Sequence, residues 1–215
     1  LGECYRLLYD IEQALPCHEE ALQKAEAARL RFVEADICRN LGLDYRELGR
    51  MAEALTYLRR ALTISEEIEH LDAQLYTLFG LAVTEVKTGD VDSALVHAHQ
   101  LRELAISSDS RGHLARALYA LGLVAQAQAD PNTAEEVWQQ ALYLAHETER
   151  RMLLWQLHAS LAEVARNESL AQVHYRIAGE IIRQIAEPIE DERLCQSFLT
   201  AVPIQTILAK SEEAG

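Results

Sequence analysis

Residues 41–61 read LGLDYRELGRMAEALTYLRRA, and this stretch decides the fold. With Cys38 just before it, Leu41, Gly42 and Tyr45 fall at i+3, i+4 and i+7, one face of a helix. Leu48-Gly49 breaks that helix, and Ala54, Leu58 and Ala61 then mark one face of a second. Working outward, the same beat recurs as Leu1-Gly2, Leu81-Ala82, Leu121-Gly122 and Leu161-Ala162, each 40 residues from the next. Ala14, Ala54, Ala94 and Ala134 keep the same step. Self-similarity at a fixed period of this length means stacked copies of one supersecondary unit.

The copy around residue 120 repeats the scheme: Leu118, Leu121, Gly122 and Ala125, a break at Asp130-Pro131-Asn132, then Ala134, Trp138 and Ala141. Asp130 is suited to cap the second helix, with Pro131 at its first position, where a missing N–H does no harm. Asp10 and Asp90 stand at the same point of their units and are expected to cap in the same way. The small residues let the two helices of a pair approach, while Tyr45, Leu58 and Trp138 fill the space between neighbouring pairs. A single pair cannot bury its apolar face, so stability comes from stacking several.

Leu41-Gly42-x-x-Tyr45-x-x-x-Gly49-x-x-x-x-Ala54-x-x-x-Leu58-x-x-Ala61 resembles the tetratricopeptide repeat (TPR). Leu121-Gly122…Ala134…Trp138…Ala141 fits as well, and Leu1-Gly2-x-x-Tyr5…Ala14…His18…Ala21 fits from inside its first helix. Unit three departs with Glu85 where Tyr is usual, and unit five shortens its turn by three residues, giving Leu161-Ala162…Ala171…Tyr175…Ala178. The resemblance implies an all-α fold, a right-handed α–α superhelix of about five helix pairs with a C-terminal capping helix. The array spans residues 1–187, in units of approximately 1–31, 32–71, 72–111, 112–150 and 151–187, followed by a capping helix and tail over 188–215. Pro188 is expected to start that helix and Pro203 to follow its end, while Pro16 is expected to kink the second helix of unit one. Units some six residues longer than the usual TPR length of about 34 are similar to those of bacterial multidomain signalling ATPases and transcriptional regulators.

Composition sets the bounds. The 215 residues are 49% apolar and 6% aromatic, a helix-rich, core-forming mixture. Thirty-four acidic against 20 basic residues give a net charge of −14, and no Lys/Arg cluster interrupts it, which argues against direct nucleic-acid binding. No apolar run is long enough to cross a bilayer, and no basic-then-apolar run opens the chain. The chain starts on Leu1, already inside a repeat and without an initiator Met, and so reads as a piece of a longer, cytoplasmic polypeptide. Cys4, Cys17, Cys38 and Cys195 lie in helical patterns and read as reduced thiols.

No catalytic constellation emerges. Phosphate-binding Gly-rich loops, nucleophile elbows and zinc-protease pairs are missing from the sequence. His97 and His99, two apart on a helix, point about 200° from one another and cannot share a metal ion. His18 and His158 fall at core-facing positions and read as packed substitutes for apolar residues. The expectations are therefore no enzyme activity, no metal and no cofactor.

In TPR arrays the first helix of each pair lines the concave surface, so residues 40 apart should form rows along it. One row is Arg39, Phe79, Tyr119, Ala159; another Asp36, Tyr76, Arg116, Gln156; a third Leu43, Val83, Leu123, Glu163; a fourth Arg6, Arg46, Val86, Gln126, Arg166. The candidate site is thus Arg39, Asn40, Leu43, Arg46, Tyr76, Phe79, Val83, Arg116, Tyr119 and Leu123, an aromatic and aliphatic surface flanked by arginines. Such a surface suits a peptide with apolar anchors and carboxylates facing Arg39, Arg46 or Arg116, with Asn40 bonding its backbone. The carboxylate clamp of chaperone-adaptor TPRs needs a fuller Lys/Asn/Arg set than Arg39-Asn40 provides. The expected role is a protein-interaction or sensor module of a larger signalling or transcription-regulating protein. Its partners would be a protein or peptide, other domains of the same polypeptide, or a second copy of the chain, with no membrane. The alternative is a scaffold for self-association or for packing on an attached catalytic domain.

Overall fold

The computed structural model describes residues 1–213, and they form helices joined by short turns. The helices are α1 (Gly2–Leu7), α2 (Ile11–Ala27), α3 (Arg31–Glu47), α4 (Met51–Glu67), α5 (Leu71–Thr88) and α6 (Val91–Ser107). The rest are α7 (Arg111–Ala127), α8 (Pro131–Glu147), α9 (Arg151–Glu163), α10 (Glu168–Ala186), α11 (Glu192–Thr200) and α12 (Val202–Glu212). Helices of 17 residues, the commonest length here, are about 25 Å long. Two compact units result, Leu1–Ser108 and Asp109–Gly215, the last two residues of which lie outside the described part.

The turns keep a stricter beat than the repeats. A residue with positive φ closes a helix at positions 9, 29, 49, 69, 89, 109, 129 and 149, one every twenty residues. Only Gly49 (φ 74°) and Gly89 (φ 81°) are glycines; the rest include Tyr9, Arg29, Glu69 and Ala129. At seven of these eight turns the residue that follows folds its N–H back across it: Arg50 N donates to Tyr45 O at 2.9 Å, and Asp130 N to Ala125 O at 2.9 Å. These bonds satisfy carbonyls that the helix end would leave unpaired, which offsets the cost of left-handed backbone at non-glycine positions.

Caps follow two of the three expected aspartates. Asp90 accepts from Ser93 N at 3.3 Å, and Asp130 from Thr133 N at 3.1 Å and from its hydroxyl at 2.7 Å. Asp10 occupies the cap position of α2 without a side-chain cap bond, a correction to the sequence reading. Pro16 lies inside α2, which continues unbroken to Ala27.

The Leu-Gly signature proves to be a lock between the helices of a pair. A Cβ on Gly42 would meet Leu58 Cγ at 2.6 Å; one on Gly122 would meet Trp138 Nε1 at 2.1 Å; one on Gly2 would meet His18 at 2.6 Å. The large side chain of each second helix therefore sits on the glycine of the first, and no larger residue fits beneath it. In the first unit, Leu22, Ala35, Ile37, Cys38, Leu41, Ala54 and Ala61 close the core. Burial pushes the Cys38 thiol up to about 11. Arg60 binds both Glu26 and Glu34 at 2.5 Å, joining α2, α3 and α4. In the second unit, Trp138 sits among Leu118, Ala125, Ala134, Ala141, Leu154, Leu157 and Leu161.

The tail differs from expectation. Pro188 precedes the helix rather than starting it; Asp191 caps α11 by accepting from Leu194 N at 2.9 Å. Pro203 sits in the first turn of a second helix, α12, where its fixed φ suits an N-terminus. Two helices thus close the described chain where one was expected. Phe198 of α11 and Ile204 and Ile207 of α12 supply their buried apolar residues. Residues 214–215 of the expected tail lie outside the described residues.

Candidate functional site

Helices α3 and α5 each carry a partly exposed stripe spaced three, four and three residues apart. On α3 it is Asp36, Arg39, Leu43 and Arg46; on α5 it is Tyr76, Phe79, Val83 and Val86. The residues between them are buried, so the stripe is the edge of each amphipathic helix. Gly80 lets the two helices approach, because Leu43 Cδ2 lies 3.3 Å from where its Cβ would stand.

Arg39 is the centre of this face. It donates to Asp36 Oδ1 at 2.8 Å and to Asn40 Oδ1 at 3.3 Å. Its guanidinium carbon lies 5.1 Å from the centroid of the Tyr76 ring, a cation–π contact that joins α3 to α5. Arg46 donates through Nη2 and Nε to Glu47 Oε1 at 2.9 and 3.2 Å. Asn40 is buried beside this surface. Both arginines are thus held by carboxylates of their own helix, Arg39 through one nitrogen and Arg46 through two that converge on a single oxygen.

Beneath the face lies a polar layer that the sequence reading missed. Asp44 is fully buried, and its Oδ2 lies 2.5 Å from Nδ1 of buried His18. Arg6, on α1, is drawn toward the same carboxylate; burial holds its guanidinium below the ordinary value while Asp44 opposes the shift. Arg6 Nε has no hydrogen-bond partner. On the other side of the unit, Glu85 of α5 is also fully buried, bonded to His97 Nδ1 of α6 at 2.6 Å and 3.9 Å from Arg59 of α4. Glu85 was visible in the sequence as a departure from the repeat. Its partner was not, because the pairing runs across a helical hairpin.

In the second unit Arg116, Tyr119 and Leu123 form the corresponding stripe on α7 and are likewise half-buried. Tyr119 and Leu123 pack against the Trp138 core, and the Tyr119 carbonyl accepts from Trp138 Nε1 at 3.0 Å. Their apolar surface is therefore partly committed to the unit's own packing. Among the described residues, no group of three or more His, Cys, Asp or Glu is placed to hold a metal ion, and no helix is long and apolar enough to cross a membrane.

A tetratricopeptide-repeat family model matches residues 1–67 and again residues 32–107. No curated protein sequence matches the chain. Among solved structures, a Rap protein complexed with competence and sporulation factor superposes with a TM-score of 0.72 at 15% identity, covering 100% of this chain and 74% of that one. The Rap conjugation gene regulator of plasmid pLS20, in complex with the Phr* peptide, gives 0.71 at 15% identity over 99% and 71% of the two chains. BtubC from P. vanneervenii gives 0.66 at 14% identity over 95% and 87%.

Proposed function

Given that the chain is an all-α TPR array, a solenoid of helix pairs, we propose that it is a non-catalytic interaction module. Its working surface is the α3/α5 face of the first unit, and its ligand is a peptide or an exposed segment of a partner protein. The observation that carries this reading is the arrangement of Arg39 and Arg46 around Tyr76, Phe79, Leu43 and Val83: two oriented guanidiniums beside a half-buried apolar strip. An apolar anchor on the strip and a carboxylate exchanged for Asp36 or Glu47 would satisfy it. Supporting it, two structures of the same fold hold a factor or a peptide. The finer reading places the array as a sensor arm in a cytoplasmic signalling or transcription-regulating protein, with occupancy of the face as its input.

A selection from a random dodecapeptide library tests the proposal, run on the intact chain and on an Arg39→Glu/Phe79→Ala variant of unchanged helicity and melting. The proposal expects peptides combining apolar and acidic residues to be retained by the native chain and lost by the variant. Equal retention by both, or no enrichment on either, rejects the face as a binding site and favours a scaffold.

A further inference from the structure

Three successive helices of the second unit each bring a histidine to one place: His146 from α8, His158 from α9 and His174 from α10. His158 is buried, and its Nδ1 lies 2.9 Å from Nδ1 of half-buried His174, with ring centroids 5.2 Å apart. The His146 ring stands edge-on to His158 at 6.4 Å between centroids. Two imidazole nitrogens at hydrogen-bond distance share a single hydrogen, one donating and the other accepting. Neither histidine serves the proposed binding face, and the inference does not depend on it.

We propose that this cluster is a proton-operated latch: one hydrogen shared between the two Nδ1 atoms fastens α10 to α9, and protons on both rings release it. The first added proton goes to His174, the more exposed ring, which faces Glu135 of α8. It enters at Nε2, leaving Nδ1–H to donate to His158, so the bond survives. A second proton must enter at His158 Nδ1. Two N–H groups and two positive charges then confront each other at 2.9 Å, and the bond is lost. What α9 and α10 release includes α12, which packs on α10.

The surroundings set the order of these steps. Burial lowers the His158 pKa to about 4, with His174 and His146 adding to the effect. Burial also lowers His174, while Glu135 opposes it. Glu135 is itself 3.6 Å from Arg166 in the α9–α10 connection. Lys210 of α12 bonds Tyr175 Oη at 2.9 Å, next to His174 in sequence, with Glu163 of α9 nearby. Where α11 meets α10, Cys195 lies 3.9 Å from the Ala186 carbonyl. Between the ordinary histidine value near 6.5 and about 4, the unfolded chain holds a proton at residue 158 that the folded chain does not. Stability is therefore complete above this window and falls as pH drops through it.

Trp138 on α8 and Trp155 on α9, the only two tryptophans, report on this region by fluorescence. Urea unfolding of the whole chain at about pH 7 and about pH 4.5 should raise the native unfolding constant roughly 50-fold more than that of His158→Leu, from the His158 shift alone. An identical pH dependence in the two proteins overturns the latch. His174→Gln, at a half-exposed site, gives an independent variant if His158→Leu fails to fold. Histidine NMR of the native chain decides without any substitution: His158 should titrate last, well below pH 6, and a midpoint near 6.5 overturns the proposal.

Discussion

Between α7 and α8, Gly122 lies under Trp138, and the residue three further along α7 is Ala125. Between α5 and α6, forty residues earlier, the corresponding positions hold Ala82, Ala98 and Glu85. One hairpin is filled by a single large ring over a bare backbone. The other matches two small residues and sets a buried carboxylate, Glu85, against the half-buried imidazole of His97. Their turns differ as well, for Gly89 takes the left-handed position in one and Ala129 in the other. A helical pair of this length therefore accommodates either an apolar or a polar filling.

Breaking the apolar version has the largest expected effect. Trp138→Ala should destabilise the second unit by about 3–5 kcal/mol in chemical denaturation, since the ring is fully buried and its cavity cannot collapse onto Gly122. Gly122→Ala alone should also be costly, because its Cβ would stand 2.1 Å from Trp138 Nε1. In the Trp138→Ala background the same substitution should be nearly neutral, and the double-mutant cycle measures that coupling. Next comes the polar version. His97→Ala strips Glu85 of its hydrogen bond and should cost about 2–3 kcal/mol. Replacing both as Glu85→Leu/His97→Leu should return most of that loss, leaving a net change within about 1 kcal/mol. The smallest effects belong to the turns. Ala129→Gly should stabilise by about 1 kcal/mol and Gly89→Ala destabilise by a similar amount, each read from the melting midpoint.

These contrasts also show what the sequence carries. The 40-residue step, the helix pairs and the small residues at their crossings follow from spacing alone, because sterics at a close crossing admit only Gly or Ala. The twenty-residue beat of the turns does not, since Tyr9, Arg29, Glu69 and Ala129 hold left-handed backbone by cooperative hydrogen bonding rather than by residue type. Pro188 and Pro203 each permit a helix start, and only Asp191 and its bond to Leu194 N settle where α11 begins. At the candidate face, the half-buried stripe is readable as a helical period. The neutralising partners Asp36 and Glu47 were also within reach, being three and one residue from their arginines. The Asp44–His18 pair was not, because 26 residues separate its members.

Calorimetric affinity is the test of peptide binding at the α3/α5 face. A library-selected peptide titrated into the native chain, Arg39→Glu and Phe79→Ala should bind each variant at least about tenfold more weakly, a loss of about 1.4 kcal/mol or more. Tyr143→Ala, an exposed site on α8, should leave it unchanged. Undiminished affinity in Arg39→Glu and Phe79→Ala, with all proteins folded, would place the peptide elsewhere on the molecule.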